Sequence, residues 1–333
     1  MRALICTAFG DEPSLELADV PAPKPGPNEV LVRVEAVGVG FFDTVLLAGR
    51  YQEKPDLPMI PGREFCGIVE AGGRDIDPAL VGRRVAGTAF GGCLAEFALA
   101  KRGHFAVLPE GTPSTTGAAF LSSYATALYS LESCGHVRPG EVVLVLGAAG
   151  TVGEASIDVA KALGATVVAA ASTEEKRAHC LRRGADNVID YTRPDWRRAL
   201  TAAVGRPVNI VVDPVGGSLS ETAFRSLGPG GRFLVVGFAD GEIGRIPLNL
   251  PLLKRASIVG VDWGGFMQAE PEANERLLAR LVGLLADGLI RPSPTSTRAL
   301  SEFPDVLAEL RRRASIGKPV IVLEGAFSKN NLQ

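Results

Sequence analysis

Cysteine, histidine, net charge and long apolar runs are all scarce in this chain of 333 residues, and each shortage removes a class of function. The five cysteines, Cys6, Cys66, Cys93, Cys134 and Cys180, are odd in number and form no CxxC pair. That argues against a disulfide framework and for reduced thiols in a cytoplasmic protein. Only three histidines occur, His104, His136 and His179, without the spacing of a metal site, so no metal is expected. No stretch reaches the ~18 consecutive apolar residues of a spanning helix, and the opening MRALICTAFGDEP is too briefly apolar for a signal peptide. Thirty-five Lys and Arg against 37 Asp and Glu leave a net charge of -2. Nothing electrostatic recommends nucleic acid or an anionic membrane surface as partner, and a small-molecule ligand is the expectation.

What is present is patterned. The length suggests two domains. Residues 1–121 are rich in proline, glycine and valine, with strand-like runs at 30–39, 67–72 and 83–90 separated by turn signals, which predicts a compact β-rich domain. Residues 122–288 alternate apolar runs with helical patterns, the mark of a parallel sheet with crossover helices. Six strands are predicted there, at 141–147, 165–171, 187–191, 209–213, 231–238 and 256–263, the count of a doubly wound dinucleotide-binding sheet. After a long helix at 272–287, residues 289–333 carry a terminal strand at 318–324 and read as a return to the first domain.

The segment VLGAAGTVGEA, residues 145–155, follows the first strand of that sheet and opens a helix. Val152, Ala155, Val159, Ala160 and Leu163 share one face of this helix, which stops at Gly164. Ala148, Gly150 and Gly153 occupy the small-residue places of the dinucleotide fingerprint, where side chains would obstruct a tight turn, a pyrophosphate and helix packing. A diphosphate would sit over the N–H groups of Gly150, Thr151, Val152 and Gly153 at the helix start. At the end of the second strand, AAASTEEKR places Ser172 and Thr173 where an NAD-selective acid would stand, with Lys176 and Arg177 within a turn. A 2′-phosphate is favoured, hence NADP over NAD. Ser172 also reads as a helix N-cap with Glu175 completing a capping box.

The segments GRYQEKPDLPMIPGREFCGIV, GGCLAEF, RPGEVVLVLGAAGTVG, GADNVIDY and GFADGEIGRIPLNLPLLKRASIVGVDWG carry a resemblance to the medium-chain dehydrogenase/reductase superfamily, in its zinc-free quinone oxidoreductase branch. The resemblance covers nearly the whole chain. It implies an α/β protein with a Rossmann sheet and a GroES-like β-rich catalytic domain, and a nicotinamide held in the cleft between them. Zinc-bearing relatives read G-x-C-x-x-D-x-H and P-G-H-E; here GVGFFDTV and PGRE put Gly40, Val45 and Arg63 at the ligand places, none an ordinary zinc ligand. Without that Lewis acid, an acceptor that spreads the incoming charge is the suitable one: a quinone or an activated enone reduced by NADPH.

By the same resemblance Ser172, Lys176 and Tyr191 would hold the adenosine phosphate end, and Thr126, Gly237, Phe238 and Lys318 would frame the nicotinamide. Tyr51 and Thr126 are the candidate catalytic residues, with Phe41, Phe42, Trp263 and Phe266 lining the acceptor pocket. Phe41, Phe42 and Phe266 read equally as core packing. Asp43 and Glu64 are assigned no chemistry, and Cys66 and Cys93 read as buried thiols. The branch usually carries an Asn and a Tyr where this chain has Gly40 and Val45, which implies a roomier, less polar pocket suited to a bulky or aromatic enone. Two other readings stay open: an enoyl-thioester reductase, and a non-catalytic NADPH-binding protein of the crystallin kind. A homodimer through the edge of the Rossmann sheet is expected, since the run ASIVGVDW there needs a cover.

Overall fold

Short runs of β-branched residues bounded by glycine and proline become many of the strands, and the strands sort into separate sheets. The computed structural model describes residues 1–52 and 54–323; Glu324, the end of the expected terminal strand, lies outside them. In chain order the strands are β1 (Arg2–Ala8), β2 (Ser14–Asp19), β3 (Glu29–Gly38), β4 (Glu64–Gly72), β5 (Arg84–Thr88), β6 (Phe97–Lys101), β7 (Phe105–Val107), β8 (Val142–Val145), β9 (Thr166–Ala170), β10 (Asn187–Ile189), β11 (Val208–Asp213), β12 (Leu227–Val235), β13 (Ser257–Gly260), β14 (Pro294–Ala299) and β15 (Lys318–Val322). The chain divides into two compact units. The first holds Met1–Ser122, Pro271–Val282 and the chain from Pro292 onward; the second holds Ser123–Glu270 and Gly283–Arg291.

In the first unit β1 and β2 form a two-stranded antiparallel sheet. A larger sheet runs β14-β15-β3-β4-β5-β7, with β6 pairing β3. The terminal strand pairs antiparallel with β3 and parallel with β14. Val30, Val32, Phe65, Leu94, Phe303 and Ile321 are fully buried in its core. The first turns of the long helix Pro271–Ala286 belong to this unit: buried Asn274 donates to the Gly103 carbonyl at 2.7 Å, and Arg102 pairs with Glu275 at 2.9 Å. Three charged groups lie inside the unit. Asp43, 3% exposed, accepts the Gly40 N–H at 2.8 Å and caps the helix Phe41–Leu47. Glu64 accepts the Ser122 N–H at 2.9 Å and lies 2.6 Å from the Lys318 ammonium. Gly38 leaves room for this pair, because a methyl group there would overlap the Ala118 carbonyl oxygen and crowd Lys318 Cε at 2.8 Å.

The second unit is built on a wholly parallel sheet in the order β10-β9-β8-β11-β12-β13. All six predicted strands are there, and this succession is that of a dinucleotide-binding sheet. The helix Thr151–Ala162 stops where Gly164 takes a positive φ of 79°. It buries more than the apolar face read from its periodicity, since Glu154, Ser156 and Asp158 are also buried. Unpaired, those carboxylates would be costly. Glu154 lies 2.8 Å from His179 Nε2, and Asp158 accepts from Tyr124 OH at 2.8 Å, from the Arg291 N–H at 3.2 Å and from the Arg183 guanidinium. Among the described residues no helix is long and apolar enough to cross a membrane.

Burial pushes the Asp43 carboxyl up to about 6, offset in part by the Gly40 N–H and the charges of Lys318 and Arg63. A carboxyl raised on folding stabilises the protein most while protonated, so its contribution is full below the unfolded value near 3.8 and fades as pH rises through about 6. Asp43→Asn keeps an acceptor for the cap and removes the titration. The variant is expected to gain roughly 2–3 kcal/mol on the wild type between about pH 4 and pH 8, read from urea unfolding across that range. A difference flat in pH would contradict it.

Candidate active site

The residues that the fingerprint singled out gather at the carboxyl ends of the parallel strands. β8 leads into Gly147, whose φ of 55° turns the chain. Ala148 spends its N–H on the Ala170 carbonyl at 3.1 Å, so it shapes the turn and offers no donor to a ligand. Gly150 stands at the N-cap in extended conformation, with no side-chain cap over the helix that starts at Thr151. The first N–H groups of such a helix have no intrahelical partner, and the dipole adds positive character. Gly153 is required sterically: a Cβ there would press into the Gly147 carbonyl oxygen and stand 2.7 Å from Ala148 Cα. Gly150 is tighter than most sites, with a Cβ 3.3 Å from the same oxygen. These features fit a diphosphate, because backbone donors converge where side chains are excluded.

The neighbouring strand ends carry the second group. Backbone pairing continues to the Ala171 N–H, which donates to Ile189 O at 3.0 Å, and Ser172 follows outside any helix. The cap is therefore one residue later than read from the sequence. Thr173 caps the helix Glu174–Arg182, its hydroxyl accepting the Lys176 N–H at 3.3 Å, and Ser172 is not held by a capping box. Arg177 is committed to Asp190 at 3.1 Å and to the Ala171 carbonyl at 3.3 Å. Tyr191 is half-buried, packed against the core of this unit just beyond β10.

Further along the same edge, the buried Asp213 carboxylate accepts the N–H groups of Val215 and Gly216 at 2.9 and 2.8 Å and the Ser220 hydroxyl at 2.7 Å. That fixes the turn after β11. The Gly237 N–H donates to Asp213 O at 3.2 Å, and a Cβ on Gly237 would lie 3.3 Å from Pro214 O. Phe238 is exposed beside it. Thr126 lies half-buried on the helix Leu121–Leu128, its carbonyl accepting the Ser130 hydroxyl at 2.6 Å. Trp263 is buried at the start of the helix Trp263–Ala269, and Phe266 stacks on Tyr129 at 4.5 Å.

In the first unit Phe42 and Tyr51 meet edge to face with centroids 4.7 Å apart, and Phe90 joins them at 6.0 and 6.1 Å. The Arg63 guanidinium lies 4.4 Å from the centre of the Phe42 ring. Phe41, one position earlier on the helix, is exposed, and Lys318 stays in its ion pair with Glu64. Phe90 was absent from the sequence reading, since no local spacing ties it to residues 42 and 51. The Glu154–His179 link was missed as well; it joins the helix beneath the glycine loop to the helix bearing Lys176. Burial raises the Cys66 thiol to about 12 and Cys93 well above its usual value, so neither is a ready nucleophile. Among the described residues no group of three or more His, Cys, Asp or Glu could hold a metal ion.

Comparison with known proteins covers both units. Residues 26–129 match the alcohol dehydrogenase GroES-like domain, and residues 151–280 match the family described as zinc-binding dehydrogenase. Quinone oxidoreductase-like protein 2 of Rattus norvegicus is 35% identical over 326 residues, 97% of this chain and 92% of that protein. The Escherichia coli quinone oxidoreductase complexed with NADPH superposes with a TM-score of 0.87 at 26% identity, covering 97% of this chain and 100% of the other. The quinone oxidoreductase of Thermus thermophilus, solved also with NADPH, gives 0.83 at 32% identity over 97% and 100%. With likeness running through both units and nearly end to end, the chain belongs to the medium-chain dehydrogenase/reductase superfamily, in its quinone oxidoreductase-like branch.

Proposed function

We propose that this oxidoreductase binds NADPH and reduces a quinone or an activated enone. The observation that carries the reading is the glycine loop after β8, where Gly153 admits no Cβ and an uncapped helix start presents its N–H groups. Thr151 and Val152 donate to the diphosphate. Ser172 and Lys176 receive the adenosine phosphate, Tyr191 packs at that end, and Arg177 is engaged by Asp190. Gly237 and Phe238 border the nicotinamide, with Thr126 and Lys318 in supporting roles. Bound NADPH supplies a hydride; the acceptor takes it with one solvent proton and becomes a hydroquinone or a saturated ketone. In the first unit Tyr51, with Phe41 and Phe42, serves the acceptor; in the second, Trp263 and Phe266 are its acceptor-side candidates. The decisive experiment is NADPH consumption over quinones, enones and enoyl-CoA esters, with NADH in parallel. Quinone or enone turnover is expected; turnover of enoyl-CoA esters alone, or of nothing despite tight coenzyme binding, would replace this reading. Lys176→Ala should cut the NADPH-over-NADH preference in kcat/KM by roughly 10-fold, the loss of one charge-assisted contact.

Gly40 shapes the acceptor side. Its extended backbone (φ -133°) suits any residue, and a Cβ there would stand 3.6 Å from the Lys318 ammonium. Asn is a good N-cap residue, so Gly40→Asn should fold normally. Its expected effect is to shift kcat/KM toward small acceptors and away from bulky ones; unchanged relative rates would count against the roomy-pocket idea.

The protein acts as a cytoplasmic homodimer in this reading. β13 is one of the two edge strands of its sheet, and Leu248, Leu252 and Leu253 nearby are 83%, 77% and 73% exposed. A second copy covers this apolar surface. Replacing both Leu252 and Leu253 by Asp should yield a monomer by light scattering at micromolar concentration, with coenzyme binding retained. A wild type that is already monomeric would refute it.

A further inference from the structure

We propose that Arg63 makes this enzyme select acceptors that carry an anionic oxygen beside their reducible ring system. The inference deepens the quinone and enone reading above and rests on it. Arg63 sits at the entry to β4. Its carbonyl accepts the Ala89 N–H at 2.8 Å, which pins its backbone beside Phe90. Its guanidinium lies 4.4 Å from the centre of the Phe42 ring, and Phe42 packs with Tyr51 and Phe90. A guanidinium laid over an aromatic face uses its own face and leaves its N–H edge pointing outward in a fork.

Among the described residues Arg63 makes no side-chain hydrogen bond and no ion pair. The neighbouring carboxylates are occupied, Asp43 by the Gly40 N–H and Glu64 by Lys318. Other arginines of the sheets and their neighbourhood are paired: Arg33 with Glu70, Arg84 with Glu35, Arg102 with Glu275, Arg232 with Glu141. Arg63 is thus a half-buried cation held by aromatic stacking, with its donors unspent among the described residues. Three rings next to it present apolar surface, and Phe90 is exposed. The combination recognises a flat apolar ring with a carboxylate, sulfonate or phenolate oxygen at its rim: the ring lies on the aromatic cluster and the oxygen accepts a charge-assisted hydrogen bond.

The test compares 1,4-naphthoquinone with 1,4-naphthoquinone-2-sulfonate under saturating NADPH, for the wild type, Arg63→Met and Arg63→Lys. The sulfonate also changes the quinone's reduction potential, so the quantity read is how each variant shifts the ratio of the two kcat/KM values. Arg63→Met should lower the sulfonate-to-neutral ratio by roughly 10-fold or more, the loss of one hydrogen bond to a charged group. Arg63→Lys should retain part of the ratio, and added salt should erode it in the wild type. Equal losses on both acceptors, or an unchanged ratio, would overturn the proposal. If neither quinone is reduced, the parent reading has failed. Arg63 is then judged by calorimetry with 2-naphthalenesulfonate on the full chain: weaker binding to Arg63→Met than to the wild type sustains the anion site, and equal binding dismisses it.

Discussion

The contact that the functional reading depends on is the one between Gly153 and the backbone of Gly147 and Ala148. There is no room for a methyl group at that point, so the helix Thr151–Ala162 seats against the end of β8, with Gly150 exposed and Thr151 and Val152 half-buried at its start. Move that helix outward by the width of a side chain and its N–H groups no longer converge over the loop. The strand order places β8 between β9 and β11, and the loops leave the sheet in opposite directions on its two sides. The crevice of a doubly wound sheet opens at such a reversal. The segments just beyond β9 and β10 and the turn after β12 leave the sheet at the same carboxyl edge.

Buried charge is handled in two ways. In the second unit the helix beneath the glycine loop turns Glu154 and Asp158 inward, and each meets a partner: His179 for one, Tyr124 and Arg183 for the other. These links replace the apolar packing that a helix usually offers on that side, and they tie it to the helix bearing Lys176 and to the chain at Arg291. In the first unit the pair of Glu64 and Lys318 is nearly dry, and Asp43 is satisfied by a backbone N–H while its carboxyl is held above the usual range. Breaking a buried pair leaves an uncompensated charge, so such groups enforce one arrangement of the chain around them.

The parallel sheet was legible because its strands are continuous apolar runs interrupted by helices of clear period, and because the glycine spacing has a steric cause that shows in sequence. The cap at the second helix was misplaced by one residue. Ser172 and Thr173 are both cap formers, Ser the better on propensity, and the pairing of Ala171 with Ile189, a tertiary event, moves the cap to Thr173. In the first unit β1, β2, β6, β7 and β14 escaped notice: β2 and β14 are largely exposed and polar, and β7 has three residues. The aromatic cluster at Phe42, Tyr51, Phe90 and Arg63 joins a helix, a loop and two strand ends, so no window of local sequence contains it.

The place of β15 sets a schedule for biogenesis. The end of β3, Ala36 to Gly38, pairs with a strand synthesised almost 300 residues later, and Glu64 waits for its counter-charge from Lys318 at the start of that same strand. A nascent chain emerging from the ribosome can assemble most of its parallel sheet while the earlier half of its first sheet still has an open flank and an unneutralised interior carboxylate. The amino-terminal third is thus translated first and completed last, and during that interval it is the part of the polypeptide most in need of chaperone shelter.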